Sequence, residues 1–271
     1  MISTIVKQEL RIMIRGRWMS IFAILFTLLA SIIVYFGSLS GGAGFNRTSA
    51  SLLNMTLFLI PLIALLAGST SVAGEKEDGG LSLVMTYPIY IHQLLLGKFF
   101  GLLLSLFAVM AIGYGVAGTV MYWAVGGLNL NHFVLFFGFS LLLSAVFIAL
   151  AIFVGMLANN RFQALGYSIF LWAFFVLLYE FVVMGISGML PPSAVIPVFS
   201  ASILLNPVEL VRVWTIIILK SGSIFGPTLY DLTIWSESLI GQLTFTAAAI
   251  GWIALPLLGA YWLMGRGGTH D

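Results

Sequence analysis

Six long apolar runs, broken only by a few short charge clusters, leave this 271-residue chain few ways to fold. They fall at roughly 19–40, 50–72, 99–125, 133–157, 163–188 and 239–264. A helix needs about 20 apolar residues to cross the hydrocarbon core of a bilayer. Backbone groups in lipid must be satisfied internally, so only helices and closed barrels can span it. A barrel would show alternating segments of about ten residues, not continuous runs. Only 7% of the residues are charged, against about 25% in soluble proteins. The expected fold is therefore an all-α integral membrane bundle with six transmembrane helices, forming one domain over residues 1–271.

The first run begins at Trp18, after four basic residues and Glu9, and shows no small-x-small cleavage site before Gly37. It is expected to be a retained helix and not a cleaved signal. Cysteine is absent, which excludes disulfides, Cys-ligated zinc and thiol redox chemistry and leaves the compartment open by that route. Orientation follows from the basic residues. With the N-terminus inside, Lys7, Arg11, Arg15, Arg17, Lys76, Lys98, Arg161 and Arg266 are cytoplasmic, and Arg47, Arg212 and Lys220 lie outside. Both termini are thus expected in the cytoplasm. Residues 189–238 form the extracytoplasmic segment, too small for an independent domain. Short helices are expected there, punctuated by Pro191, Pro192, Pro197, Pro207 and Pro227, on the outer surface or packed between the last two spans.

Two cytoplasmic features say more. Residues 2–17 are amphipathic, with Ile2, Ile5, Val6, Leu10 and Met13 on one helical face and Lys7, Gln8, Arg11 and Arg15 on the other. Such a helix lies in the membrane interface. Glu9 sits within the apolar arc: the simpler reading has it snorkel to water, the sharper one docks it on a polar group at the base of another span. Between the second and third runs, Gly74-Glu-Lys-Glu-Asp-Gly-Gly80 gathers Glu75, Glu77 and Asp78 around Lys76, ahead of Thr86-Tyr-Pro88. Residues 74–98 read either as a solvated acidic loop or as a landing surface for a soluble partner.

The Lys7-Gln-Glu-Leu-Arg11 segment, the first span after Arg15-Gly-Arg-Trp18, the acidic loop and the extended segment before the last span resemble a type 2 ATP-binding-cassette (ABC) permease. More narrowly, Thr86-Tyr-Pro88, Gln93-Leu-Leu-Leu-Gly-Lys-Phe99 and Leu204-Leu-Asn-Pro-Val-Glu-Leu-Val-Arg212 resemble the permease subunits of transporters that mature the copper centres of nitrous oxide reductase. The resemblance implies a multi-pass protein of the bacterial inner membrane. It implies a homodimer carrying two cytoplasmic ATPase subunits, which bind ATP and magnesium, and a periplasmic copper-handling β-helix protein. Glu9, Glu75, Lys76, Glu77, Asp78, Tyr87 and Pro88 would then couple to the ATPase, and Asn206, Glu209 and Arg212 would meet the periplasmic partner. An exporter permease for another substrate is the alternative within this class.

The residues agree with a subunit and not a complete machine. No Gly-x-x-x-x-Gly-Lys-Ser/Thr occurs, so the phosphate cradle of a nucleotide hydrolase must come from another polypeptide. No cofactor, metal site or nucleic-acid partner is expected for this chain. Gly113-Tyr-Gly-Val-Ala-Gly118 spells the dinucleotide fingerprint, but in mid-span it reads as helix packing. Glu180 lies ~25 Å along the fifth run from Gln163, near the outer interface, and snorkelling is the favoured reading. Asn159-Asn-Arg161 reads as a topology anchor. His92, His132 and His270 are far apart, and the 11 methionines form no close pair that suggests a copper track. No run holds two ionisable residues of the kind an intramembrane enzyme would pair, and no internal repeat suggests a stand-alone transporter or channel.

Overall fold

The computed structural model describes residues 2–38, 47–81, 90–125, 130–219 and 230–267. Tyr87, Pro88, Lys220, Pro227 and His270 lie outside the described residues.

Among the described residues every regular element is helical. An N-terminal helix, α1 (Ile2–Arg15), is followed by α2 (Arg17–Ser38), α3 (Arg47–Glu77), α4 (Ile91–Val125) and α5 (Leu130–Leu157). The fifth span is composite: α6 (Arg161–Ala173), a wider π-helical turn at Phe174–Leu178, and α7 (Tyr179–Ser187). Helices α8 (Pro192–Leu205), α9 (Pro207–Ile218) and α10 (Tyr230–Glu237) lead into α11 (Leu239–Gly267). Among the described residues six helices are long and apolar enough to cross a membrane: Met19–Gly37, Thr48–Glu77, Ile91–Trp123, Phe133–Leu157, Arg161–Ser187 and Leu239–Gly265. With these six crossings α1 and the last turn of α11 fall at the same end of the bundle, called basal below.

The six runs read from sequence match these spans, with one systematic difference. Helix α3 continues through Gly74–Glu77 and α4 begins at Ile91, so much of the 74–98 loop is helical. At ~1.5 Å per residue, helices of 31 and 35 residues outrun a hydrocarbon core of ~30 Å by several turns. That excess is long enough for the basal residues to stand clear of the hydrocarbon.

The second, third and fourth spans form the core, each with 56% of its most apolar window buried, whereas the fifth has 6%. Small residues let the helices close in, as expected where lipid supplies no hydrophobic drive between them. A Cβ placed on Gly68 would stand 2.7 Å from the Ala151 methyl, and one on Gly155 2.7 Å from Val72 Cβ. Two of the three glycines in the mid-span Gly113–Gly118 stretch do the same work: Gly113 receives the ring of the fully buried Phe26 and Gly118 that of Phe133, whereas Gly115 faces open space. Polar pairs cross the interior. Tyr114 Oη lies 2.9 Å from Thr56 Oγ1 and 2.7 Å from Ser140 Oγ, and Ser69 Oγ 2.7 Å from Ser168 Oγ.

At the opposite end α8 and α9 meet at Asn206 with a bend of 109°. Most of α9 is buried, including Val208, Leu210, Val211, Val213, Ile216 and Ile217. Helix α9 is packed and not on the surface, but it lies chiefly against the fourth span, α5, and less against the fifth and sixth spans between which it was expected.

Candidate functional site

The basal end is built around α1. Its Ile5 and Glu9, one helical turn apart, lie over Gly97 and Gly101 of α4. A Cβ on Gly97 would come within 2.8 Å of Ile5 Cβ, and one on Gly101 within 2.5 Å of Glu9 Cβ. Only glycine at these two positions lets an interfacial helix approach this closely. Between them in sequence stands Lys98, whose ammonium donates to Glu9 Oε1 at 2.8 Å and to Glu75 Oε1 at 2.6 Å. Lys98 and Glu9 are both 2% exposed. Ser71 Oγ donates to the same Glu9 oxygen at 3.4 Å, and Glu9 Oε2 is buried without a partner among the described residues. Of the two readings of Glu9, the docked one describes the structure. Snorkelling fails because Lys98 supplies at depth what water would supply outside.

A second brace joins the same loop to the turn between the fourth and fifth spans. Arg161 pairs with Asp78 through Nη2, lies 4.0 Å from Glu77 through Nε, and donates its backbone N–H to Glu77 Oε2 at 3.0 Å. Its guanidinium crosses the bare face of Gly74, where a Cβ would sit 2.5 Å from Nε. Gly79 adopts φ 73°, the left-handed region that lets the chain turn after Glu77. Arg161 is thus a structural cross-link, more than a topology anchor. Lys76 points elsewhere: its ammonium donates to the carbonyls of Met156 at 3.1 Å and Ala158 at 3.0 Å. Those carbonyls terminate α5, where a cation is favoured by the helix dipole. Asn160 caps α6 by accepting from the Gln163 N–H at 2.8 Å.

Glu9, Glu75, Lys76, Glu77 and Asp78 therefore gather in one basal assembly with two residues the sequence reading left out of the site, Lys98 and Arg161. The available signal for Lys98 was its position inside Gly97-x-x-x-Gly101, opposite Ile5 and Glu9 at the same spacing. Exposed carboxylate surface remains on Glu77 and Asp78, whose side chains are 42% and 64% exposed.

At the other end Asn206, Glu209 and Arg212 are brought together, but in different roles. Asn206 is fully buried, so in this conformation it touches no outside partner, contrary to the contact expected of it. Its Oδ1 accepts from the Val208 N–H at 2.9 Å, capping α9, and its Nδ2 donates at 2.9 Å to the carbonyl of Phe175 in the π-helical turn. Arg212 pairs with Glu180 and lies 3.0 Å from Glu209 Oε1. Glu180, expected to reach for water alone, is an ion-pair partner with its side chain 48% exposed. The bend is further held by Tyr179, which donates to the Ser202 carbonyl at 2.8 Å, and Trp252, which donates to that of Leu204 at 3.0 Å. Carbonyls that the last turn of α8 would otherwise leave unpaired are satisfied by neighbouring spans.

Among the described residues no three His, Asp or Glu side chains converge as a metal site would require. His92 stacks on Tyr90 with ring centroids 5.4 Å apart.

Six spans, with braced loops at one end and a sharply bent helix pair at the other, define a polytopic helical membrane protein. The chain is a member of the ABC-2 family of transporter proteins, whose sequence pattern matches residues 3–268. It is 36% identical over 260 residues to the probable ABC transporter permease protein NosY of Pseudomonas aeruginosa, covering 91% of this chain and 93% of that one. To the protein of the same description from Stutzerimonas stutzeri it is 32% identical over 272 residues, covering 97% of each. With six spans in this family, the chain is a multi-pass protein of the bacterial inner membrane.

Proposed function

We propose that this chain is the membrane-spanning permease of an ABC transporter that couples ATP hydrolysis by a separate cytoplasmic ATPase to a periplasmic step in assembling the copper-sulfur centre of nitrous oxide reductase. Likeness to the two NosY permeases supports the assignment. The basal end faces the cytoplasm in this reading, as the distribution of Lys and Arg favours. The chain binds no nucleotide itself; ATP and magnesium are held by the partner.

The observation that carries the coupling role is the cross-bracing of the 74–81 turn. Through Lys98 it is tied to α1 and α4, through Arg161 to the start of α6, and through Lys76 to the end of α5. A force applied to Glu75, Glu77 and Asp78 is therefore delivered to four spans together. Closure of two ATPases on ATP would tilt these spans as a body within a homodimer, a hinge or shear change at an interface. The fifth span, with Phe162, Phe170, Phe181 and Met184 more than two-thirds exposed, offers apolar surface for a second copy or lipid. At the other end Glu180, Glu209 and Arg212 provide the polar surface for the periplasmic copper-handling β-helix protein, with Asn206 positioning α9 from within.

Purification of the chain from its native membrane in mild detergent, with mass spectrometry of what accompanies it, tests the assignment. An ATPase together with a periplasmic repeat protein is the expected result; a lone chain overturns it. Reversal of Glu75, Glu77 and Asp78 to lysine is expected to release the ATPase with membrane insertion intact. Arg161→Ala is the control: it removes the internal cation, leaves the acidic surface, and is expected to retain the ATPase. Retention by the triple reversal would remove the loop from the coupling role.

Exchange of Glu209 and Arg212 for alanine is expected to lower recovery of the periplasmic protein and leave ATPase recovery unchanged. Equal loss of both would point to misfolding of the α9 region.

A further inference from the structure

Lys98 has two carboxylate partners of unequal kind. Glu9 is buried and uses one oxygen on Lys98, while its other oxygen, Oε2, is buried with no hydrogen-bond partner among the described residues. A buried acceptor without a donor is a standing cost, relieved as soon as a donor reaches it. Glu75 binds the same ammonium at 2.6 Å but keeps 30% of its side chain exposed. The ammonium is thus stretched between a deep carboxylate with unused capacity and a shallow one within reach of another molecule.

The surroundings decide what that molecule brings. Glu75, Glu77 and Asp78 lie within one turn of chain, and Arg161 serves the latter two. Lys76 has turned its charge to the carbonyls ending α5. The shallow carboxylate is therefore open to competition by a cationic side chain, an arginine above all, since its planar fork matches a carboxylate bidentately.

We propose that Lys98 is a positioning residue with two discrete settings. In the setting seen here it bridges Glu9 and Glu75. When a cationic side chain of the partner ATPase takes Glu75, Lys98 settles on both oxygens of Glu9 and holds α1 more firmly in its place on Gly97 and Gly101 of α4, so that it opens less often. ATPase engagement is thereby converted into a change in the docking of the N-terminal helix. The proposal rests on the coupling reading above, and adds the residue through which the signal turns from the loop to α1.

Amide hydrogen exchange of residues 2–15, read by mass spectrometry on the full chain in lipid nanodiscs with and without the co-purified ATPase, tests it. In the wild type, ATPase binding is expected to slow α1 exchange by about threefold or more, since exchange reports local opening. Glu75→Gln imitates capture of Glu75. It is expected to slow α1 to the same degree without ATPase and to abolish any further response. Glu9→Gln is expected to speed exchange by about tenfold. Lys98→Arg, which keeps the charge, is expected to keep the ATPase response, and the double variant Glu9→Leu with Lys98→Met, which removes the pair without leaving a buried charge, to lose it. Exchange elsewhere in the spans reports whether each variant is folded, and Glu75→Gln, at a part-exposed site, keeps the test decisive if Glu9→Gln does not fold. An ATPase that binds without altering α1 exchange, or a Glu75→Gln variant whose α1 is unchanged or faster, overturns the switch and spares the coupling reading. Failure of the ATPase to bind the wild type overturns both.

Discussion

Lys98→Met is expected to be the most damaging single substitution at the basal end, lowering stability by about 3–5 kcal/mol, the usual cost of removing one partner from a buried ion pair. Glu9 would be left buried with Glu75 beside it, both without the ammonium that now sits 2.8 and 2.6 Å away. Against a total stability of about 5–15 kcal/mol, that is enough to deplete the protein from the membrane. Thermal unfolding of the detergent-purified chain and its steady-state level in membranes are the readouts. The companion double variant Glu9→Leu with Lys98→Met replaces the pair by apolar groups of similar length. It is expected to regain most of the lost stability, since buried ion pairs are often no better than apolar isosteres. Loss of ATPase response in that stable double variant would show that the pair serves communication. A double variant as unstable as Lys98→Met would instead assign the loss to the shape of the site.

The second large effect is expected at Asn206. Its alanine variant removes the cap on α9, worth ~1 kcal/mol. It also strips the Phe175 carbonyl of its donor in a buried setting, worth about 1–3 kcal/mol. Both bonds are 2.9 Å long and Asn206 is fully buried, so no water replaces them without rearrangement. Asn206→Asp keeps the cap acceptor but turns a carboxylate toward the Phe175 carbonyl, and is expected to be at least as harmful. Proteolysis of the outer segment in sealed vesicles reads the result: loosening of α8 and α9 exposes sites there before the spans unfold. Equal protection in wild type and Asn206→Ala would mean that Tyr179, Trp252, the Arg212–Glu180 pair and the packing of α9 hold the bend without Asn206.

The six spans are legible in the sequence because bilayer thickness imposes a length on every crossing helix, and no soluble fold demands such runs. What escaped was decided by pairing across the chain. The extension of α3 through Glu77 is polar and carries glycine, so nothing local marks it as helix; Lys98 and Arg161 hold it there from elsewhere. Glu9 stood out as a misfit on an amphipathic face, but its partner is a lysine that also reads as a topology charge. Glu180 likewise finds Arg212 only because α9 folds back into the bundle. Asn206-Pro207 has the form of an exposed turn and is equally a helix start, with asparagine as cap and proline at the first helical position. Burial, which distinguishes the two, is not written in that dipeptide.

The contact between α1 and α4 also has a consequence for how the protein is made. Glu9 and Lys98 are separated by 89 positions in the chain. At about 5–20 residues per second, the ribosome delivers the lysine some 5–20 s after the glutamate. During that interval α1 has neither Gly101 to lie on nor an ammonium for Glu9, and must wait among the lipid headgroups as a surface helix. The amphipathic face that later becomes a contact surface first serves as a tether, keeping the amino terminus beside the membrane until the third span has been inserted.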